Sequence, residues 1–333
     1  MGEFDLIARY FTRPVRRAAL GVGDDCALLA PAPGMQLAVS SDMLVQGRHF
    51  FADVDPESLG HKALAVNLSD LAACGARPLA FTLALSLPRV DEAWLAGFSR
   101  GLLALADAHG CELVGGDTTQ GPLNICITVL GEVPPGQALL RSGARQGDDI
   151  YVSGTLGDAR LALEALLGHI ALPAEVLARA RQRLERPTPR VALGLALRGV
   201  AHSAMDVSDG LLGDLSHILR ASGVGARIDT HTTSKLIAAS AYPSSASQPF
   251  DTELIRQCTL AGGDDYELAF TAPPSQRDAV AAASQASSTP VTRIGTVLAE
   301  PGLRLVDAQG QPVEHRYASF DHFSPRAATD GSD

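Results

Sequence analysis

The feature that most constrains this chain is a repeated junction. An apolar, strand-like run ends in small residues and an aspartate, and a helix or turn follows. The pattern occurs in GVGDDCALLA (21–30), VSSDML (39–44), NLSDLAACGA (67–76), VGGDTT (114–119), AMDVSDGL (204–211) and AGGDDYEL (261–268). Strand-like and helix-like periodicities alternate from end to end, which selects an α/β or α+β architecture. Strands are expected at 36–43, 79–87, 111–115, 123–133 and 148–154, with GDTTQG (116–121) as a loop between the third and fourth. Helices are expected at 56–75, closed by Gly75, and at 91–110, with Asp91 as N-cap and Gly110 after the end. Beyond a weak boundary at PPGQ (134–137) lies a second strand–turn–helix unit with GDARLALEALLG as its helix. Helix is expected over 174–199 with a break at PTP (187–189), and VAHSAMDV feeds the helix SDGLLGDLSHILRASG. YPSSASQP (242–249) is a polar loop. A strand, an Ala/Ser-rich helix and further strands fill 267–307.

A single aspartate in such a place is a helix cap or a turn residue. Asp70 resists that explanation, because it falls near the end of its predicted helix, where a negative charge opposes the helix dipole. Asn67, one turn earlier, is placed to support it. Six such sites together point to oxygen ligands for a hard divalent cation, above all Mg²⁺, which retains water and bridges to substrate phosphates. Glycines beside the acids let the backbone approach an anion and present N–H groups to it. Asp206 and Asp209, with Ser208 between them, are then tolerated because they share a cation-rich site, where Ser208 donates to a phosphate or a metal-bound water.

Other classes lack their signatures. No GxxxxGK[ST] is present, and GVGDDC lacks the last glycine of a dinucleotide fingerprint while carrying two acids where pyrophosphate needs donors. HRD…DFG, GxSxG and HExxH are missing. The five cysteines (26, 74, 111, 126, 258) form no CxxC pair, which suits a reducing cytoplasm. Net charge is −10, and Lys62 and Lys235 are the only lysines, so no basic face for nucleic acid is expected. No run approaches the roughly 20 apolar residues that span a bilayer, and MGEFDLIARYF does not read as a secretory signal. At 333 residues with 46% apolar content, two domains with separate cores are expected.

GVGDDCALL, SSDMLVQGRHF, NLSDLAACGA, VGGDTT, LLRSGAR, SGTLGDA, AMDVSDGLLGDL, AGGDDYEL and SFDHF follow in that order over about residues 20–323. Together they resemble the thiamine-monophosphate kinase family, in the superfamily of aminoimidazole-ribonucleotide synthetase, selenophosphate synthetase and the hydrogenase maturation protein HypE. The resemblance implies an N-terminal ferredoxin-like domain (1–137) of sheet plus helices that dimerises and a C-terminal α/β domain (138–323); the polar composition of SPRAATDGSD (324–333) predicts a disordered tail. It implies ATP-dependent phosphorylation of thiamine monophosphate with several Mg²⁺ ions and no covalent intermediate. Carried over by motif, Asp25, Ser40, Ser41, Asp42, Asp70, Asp117, Asp206 and Asp209 are metal ligands. Gly116, Asp117, Arg141 and Ser208 contact ATP, and His49, Asp264 and Phe320 contact thiamine phosphate. Asp264 stands where the family pattern has Glu, so Asp265 or Glu267 could share its contact. Gln46 replaces a frequent acid, and Cys26 reads as a small buried hydrophobe.

A sister synthetase and a HypE-like maturation partner are the alternatives. The first would need a reactive Cys with Lys ahead of the first acidic block, and the second a C-terminal cysteine. MGEFDLIARYFTRPVRR and SPRAATDGSD offer neither. A plain metal-dependent phosphohydrolase accounts for the acids but not for the ordered blocks.

Overall fold

A computed structural model describes residues 2–238, 250–314 and 317. The polar loop at 242–249, Phe320 and the tail at 324–333 lie outside the described residues.

After α1 (Glu3–Tyr10), the first half runs β1 (Gln36–Val45), α2 (Pro56–Ala73), β2 (Arg77–Leu87), α3 (Glu92–His109), β3 (Glu112–Gln120) and β4 (Asn124–Val133). The strands form one sheet in the order β1-β4-β2-β3, antiparallel except for the β2–β3 pair. The second half begins with β5 (Asp149–Ser153), α4 (Asp158–Leu166), α5 (Ala174–Glu185), α6 (Val191–Ala196), β6 (Ser203–Val207) and α7 (Leu211–Ser222). It continues with β7 (Gly225–Asp229), α8 (Thr230–Thr233), α9 (Thr252–Ala261), β8 (Glu267–Ala272), α10 (Arg277–Ala286), β9 (Val291–Leu298), β10 (Gly302–Val306) and β11 (Pro312–Val313). Its sheet has the order β11-β10-β7-β9-β5-β8-β6, so β6 is an edge.

The period-2 pattern of β1 decides which residues meet the core. Ser40 pairs with Val129 and Asp42 with Ile127, on the face that carries Leu83, Leu85 and Phe81 of β2. Leu37, Val39, Ser41 and Met43 take the opposite face and are exposed, Val39 at 59% and Met43 at 51%. α2 is buried nearly all round, as its apolar and small residues on every side require. It packs against α3, β1 and β4 and also against α6 and β6, and so joins the two halves. Two glycines permit the tight α2–α3 approach: a Cβ on Gly60 would lie 2.0 Å from the Phe98 carbonyl oxygen, and one on Gly101 1.8 Å from that of Glu57.

The expected caps are present: Asp91 accepts the Trp94 N–H at 3.0 Å, and Gly110 closes α3 at φ 58°. GDTTQG, expected as a loop, is strand. β3 runs to Gln120 because parallel pairing with β2 outweighs the weak strand preference of Gly and Asp. At Gly116 (φ 148°) the strands approach so closely that a Cβ would fall 1.9 Å from the Leu83 carbonyl oxygen.

Overpacking of the helix crossing supplies a test. Gly101→Ala should destabilise the protein by about 1–3 kcal/mol, read as a lower midpoint in urea or thermal denaturation; an unchanged midpoint would contradict the tight crossing.

Candidate active site

The last turns of α2 hold two layers of acid together. On one side Ser40 donates its hydroxyl to the Asp70 carboxylate, and the Asp42 N–H donates to Asn67 Oδ1 at 3.1 Å. Asn67 is itself anchored by its amide on the Ala63 carbonyl at 3.0 Å. It therefore fixes the backbone at Asp42, rather than supporting Asp70 as its spacing suggests. On the other side Ser69 donates to Asp206 Oδ2 at 2.8 Å, linking α2 to edge strand β6.

The loop after β6 is shaped by a residue outside the predicted set. Asp214, in the first turn of α7, accepts the N–H groups of Ser208, Asp209 and Gly210 on Oδ2, each at 3.0 Å. An acid a few residues into a helix, following Asp-Gly, is a readable signal for that role. The 262–266 loop is laced to this one: Asp264 N–H donates to the Ser208 carbonyl and Tyr266 N–H to that of Val207, both at 2.8 Å. Asp264 (φ 65°) and Tyr266 (φ 51°) adopt the left-handed conformation uncommon for non-glycine residues.

Asp42, Asp70, Asp206, Ser208 and Asp209, with His49 and Asp264, line one cavity of about 260 Å³. Burial, then the charges of Asp70 and Asp209, raise the Asp42 carboxyl to about 6. Burial, then Asp70, take Asp206 to about 8, against the pull of the Ser69 hydroxyl. Asp70 is raised by burial, with the Ser40 hydroxyl and the Arg141 charge opposing. Asp214, behind them, reaches about 7 through burial and the Asp209 charge, despite its three N–H donors. Among the described residues no three His, Cys, Asp or Glu side chains already form a metal cage. The donor chemistry nonetheless fits hard divalent ions: these are oxygen ligands, and burial with mutual repulsion leaves them short of positive charge.

A second cavity of about 220 Å³ adjoins the first, lined by Phe50, Phe51, Val54, Leu163, Leu167 and Leu184. His49 and Asp264 line both cavities. His49 Nδ1 accepts the Val45 N–H at 3.0 Å, which assigns the ring proton to Nε2. Lys62, which the sequence did not single out, donates to Asp264 Oδ1 at 2.6 Å. Asp265 and Glu267 are turned elsewhere. Asp265 accepts the Gly157 N–H with both oxygens at 3.0 Å, and the buried Glu267 accepts from Ser153, Arg183 and Arg190.

The remaining predicted residues lie apart. Asp25, Gly116 and Asp117 line a third cavity of about 690 Å³, beside α1. Asp117 is in register with Ala84, as is Cys126, and Cys126 pairs with Met43, so it belongs to the exposed face of the first sheet. Ser41 is on that face too, donating to the Ile127 carbonyl at 3.0 Å. Arg141 is exposed, with its charge in reach of Asp70 and His217. Cys26, expected to be buried, is exposed, because its loop lies outside the core.

The family described as AIR synthase related protein matches with its N-terminal domain over residues 23–133 and its C-terminal domain over 135–308. Thiamine-monophosphate kinase of Salmonella typhimurium is 47% identical over 329 residues, covering 97% of this chain and 98% of the relative. The Escherichia coli K12 enzyme of that name is 47% identical over 332 residues, covering 97% and 98%. Among solved structures, thiamine-monophosphate kinase from Stenotrophomonas maltophilia is 45% identical with a TM-score of 0.81, covering 93% of this chain and 96% of that one. AaThiL complexed with AMPPCP and TMP is 30% identical with a TM-score of 0.74, covering 88% and 89%. Hydrogenase maturation protein HypE in complex with ATP, at 22% identity and a TM-score of 0.73, shares the fold. With two kinases of one name matched at 47% identity over nearly their full length, the chain belongs to the thiamine-monophosphate kinase family.

Proposed function

We propose that this protein transfers the γ-phosphoryl group of ATP directly to thiamine monophosphate, giving thiamine diphosphate and ADP. The observation that carries the reading is the convergence of Asp42, Asp70, Asp206 and Asp209 on one cavity that opens beside an apolar one. The family's shared name and the complex of a relative with AMPPCP and TMP support the same substrates.

Phosphoryl transfer needs positioning and charge neutralisation more than covalent help. In this reading Asp42, Asp70, Asp206 and Asp209, with Ser40 beside Asp70, would hold Mg²⁺ ions in the acid-lined cavity, while Asp25 and Asp117 in the third cavity, with Ser41 on the same sheet face as Asp117, would hold further ions there. Bound there, the ions would offset the charge on two phosphate groups that otherwise repel. Gly116, Asp117, Arg141 and Ser208 take ATP, and Arg141 adds a permanent positive charge. His49 offers its Nε2–H to the acceptor phosphate and Asp264 meets the acceptor at the shared wall; the SFDHF motif assigns Phe320 to the acceptor as well. No side chain need act as base, because the attacking phosphate oxygen is already ionised near neutral pH.

The assembly we propose is a homodimer formed through the first sheet, in which residues 1–137 act as the dimerising domain and 138–323 as the second domain. Its support is the uncovered sheet face, where Val39 and Met43 are more than half exposed and Leu37 is exposed at 45%. That face also carries Ser41 and Asp117, so pairing would cover the residues that one chain leaves outside the acid-lined cavity. Five free cysteines suit a cytoplasmic setting. No helix among the described residues is long and apolar enough to cross a membrane.

Purified protein given ATP, Mg²⁺ and thiamine monophosphate should form thiamine diphosphate and ADP in equal amounts, and exhaustive chelation should stop the reaction. ATP turnover without thiamine diphosphate would overturn the assignment. Asp209→Asn should lower kcat by at least about a hundredfold with an unchanged melting curve; near-native turnover would remove Asp209 from the site. Val39→Asp should halve the mass seen by light scattering towards the 34.7 kDa of one chain, whereas an unaltered dimer would place the interface elsewhere.

A further inference from the structure

Lys62 is 3% exposed, yet it sits on α2 beside the junction of the two substrate-sized cavities. A buried ammonium is rare without a compensating carboxylate. Here the partner is Asp264 Oδ1, at 2.6 Å. The same Nζ reaches the His49 carbonyl oxygen at 3.4 Å. One side chain thus ties together two segments distant in sequence, the turn before Phe50 and the 262–266 loop. Both segments line both cavities through His49 and Asp264. The Asp264 backbone is left-handed and held by its N–H on the Ser208 carbonyl, so the loop approaches Lys62 from a fixed backbone.

We infer that Lys62 is a positioning residue for the acceptor substrate, setting the geometry and charge of the passage between the acid-lined and apolar cavities. The inference rests on the kinase reading and extends it to a residue that no motif marked. The acceptor is a cationic ring carrying an anionic phosphate, and Asp264 lies where both ends must pass. Paired with Lys62, its carboxylate is held in place and largely neutralised. Unpaired, it would add a further carboxylate beside Asp42, Asp70, Asp206 and Asp209 and repel the phosphate. Of the nucleotide candidates, Gly116 and Asp117 line a different cavity and Ser208 lines the acid-lined one, whereas Asp264 lines both the acid-lined and the apolar cavity, so the larger effect should fall on the acceptor.

The test is steady-state kinetics for both substrates, with calorimetric titration of thiamine monophosphate, on wild type, Lys62→Met, Lys62→Arg, Asp264→Asn and the Lys62→Met/Asp264→Asn double variant. Lys62→Met removes the charge and keeps an apolar stem. It should raise the KM for thiamine monophosphate about tenfold or more and weaken its calorimetric affinity in step, while the KM for ATP stays within about twofold. Lys62→Arg should recover most of the loss, and Lys62→Met should add little once Asp264 is Asn. An equal rise in both KM values, or fully additive effects in the double variant, overturns the inference. Should Lys62→Met fail to fold, Lys62→Gln carries the same comparison, with a selective rise in acceptor KM supporting it and a uniform one overturning it. Wild-type protein without transfer would sink the kinase reading separately. Calorimetry would then still decide the role of Lys62, since unchanged affinity for thiamine monophosphate in Lys62→Met overturns it.

Discussion

The structure depends on a helix with almost no face turned to water. α2 is packed against the first sheet and α3 on one side and against α6 and β6 on the other, and its buried side chains Lys62, Asn67 and Ser69 are stable in that setting because each is hydrogen-bonded. Asn67 holds the Asp42 backbone, Ser69 holds Asp206, and Lys62 holds Asp264. Buried polar groups are tolerated when hydrogen-bonded and are costly otherwise. The same bonds that keep α2 stable as a core element therefore fix the positions of acids from three other segments. Packing and site construction are one set of contacts.

Gathering those acids is unfavourable in the chain by itself. Asp42, Asp206 and Asp214 are all raised above the ordinary carboxylate range, and burial is the first cause each time, with neighbouring carboxylates adding to it. Local hydrogen bonds from Ser69 and from the three N–H groups on Asp214 offset part of this. What remains is an electrostatic deficit at one place in the molecule, and such perturbed groups concentrate where chemistry is done.

Much of this was legible in the sequence, because local rules and tertiary structure agree at the relevant points. The caps at Asp91 and Gly110, the odd placement of Asp70 and the Asp206–Asp209 spacing each carry a physical signal that survives folding. Other features arise only from contacts between distant segments. Nothing local says that GDTTQG will be drawn into a strand by β2, or that Asn67 will turn to β1 instead of Asp70. Lys62 sits in a run that reads as core helix, and its partner is 202 positions away. Asp25 and Asp117 share the acid–glycine signature of the inner cluster, yet strand parity places Asp117 on the other side of the sheet and a separate loop carries Asp25. Motif reading gives residue type and spacing; it does not say which face a strand will present.

The three-donor grip on Asp214 has a consequence for how tightly the cavity can hold anything. The backbone of Ser208–Gly210 is already tethered by a side chain of the same segment, and the Ser208 carbonyl is engaged by the neighbouring loop. Its conformational freedom is surrendered when the chain folds, not when a guest arrives, so affinity there is not diminished by ordering that stretch.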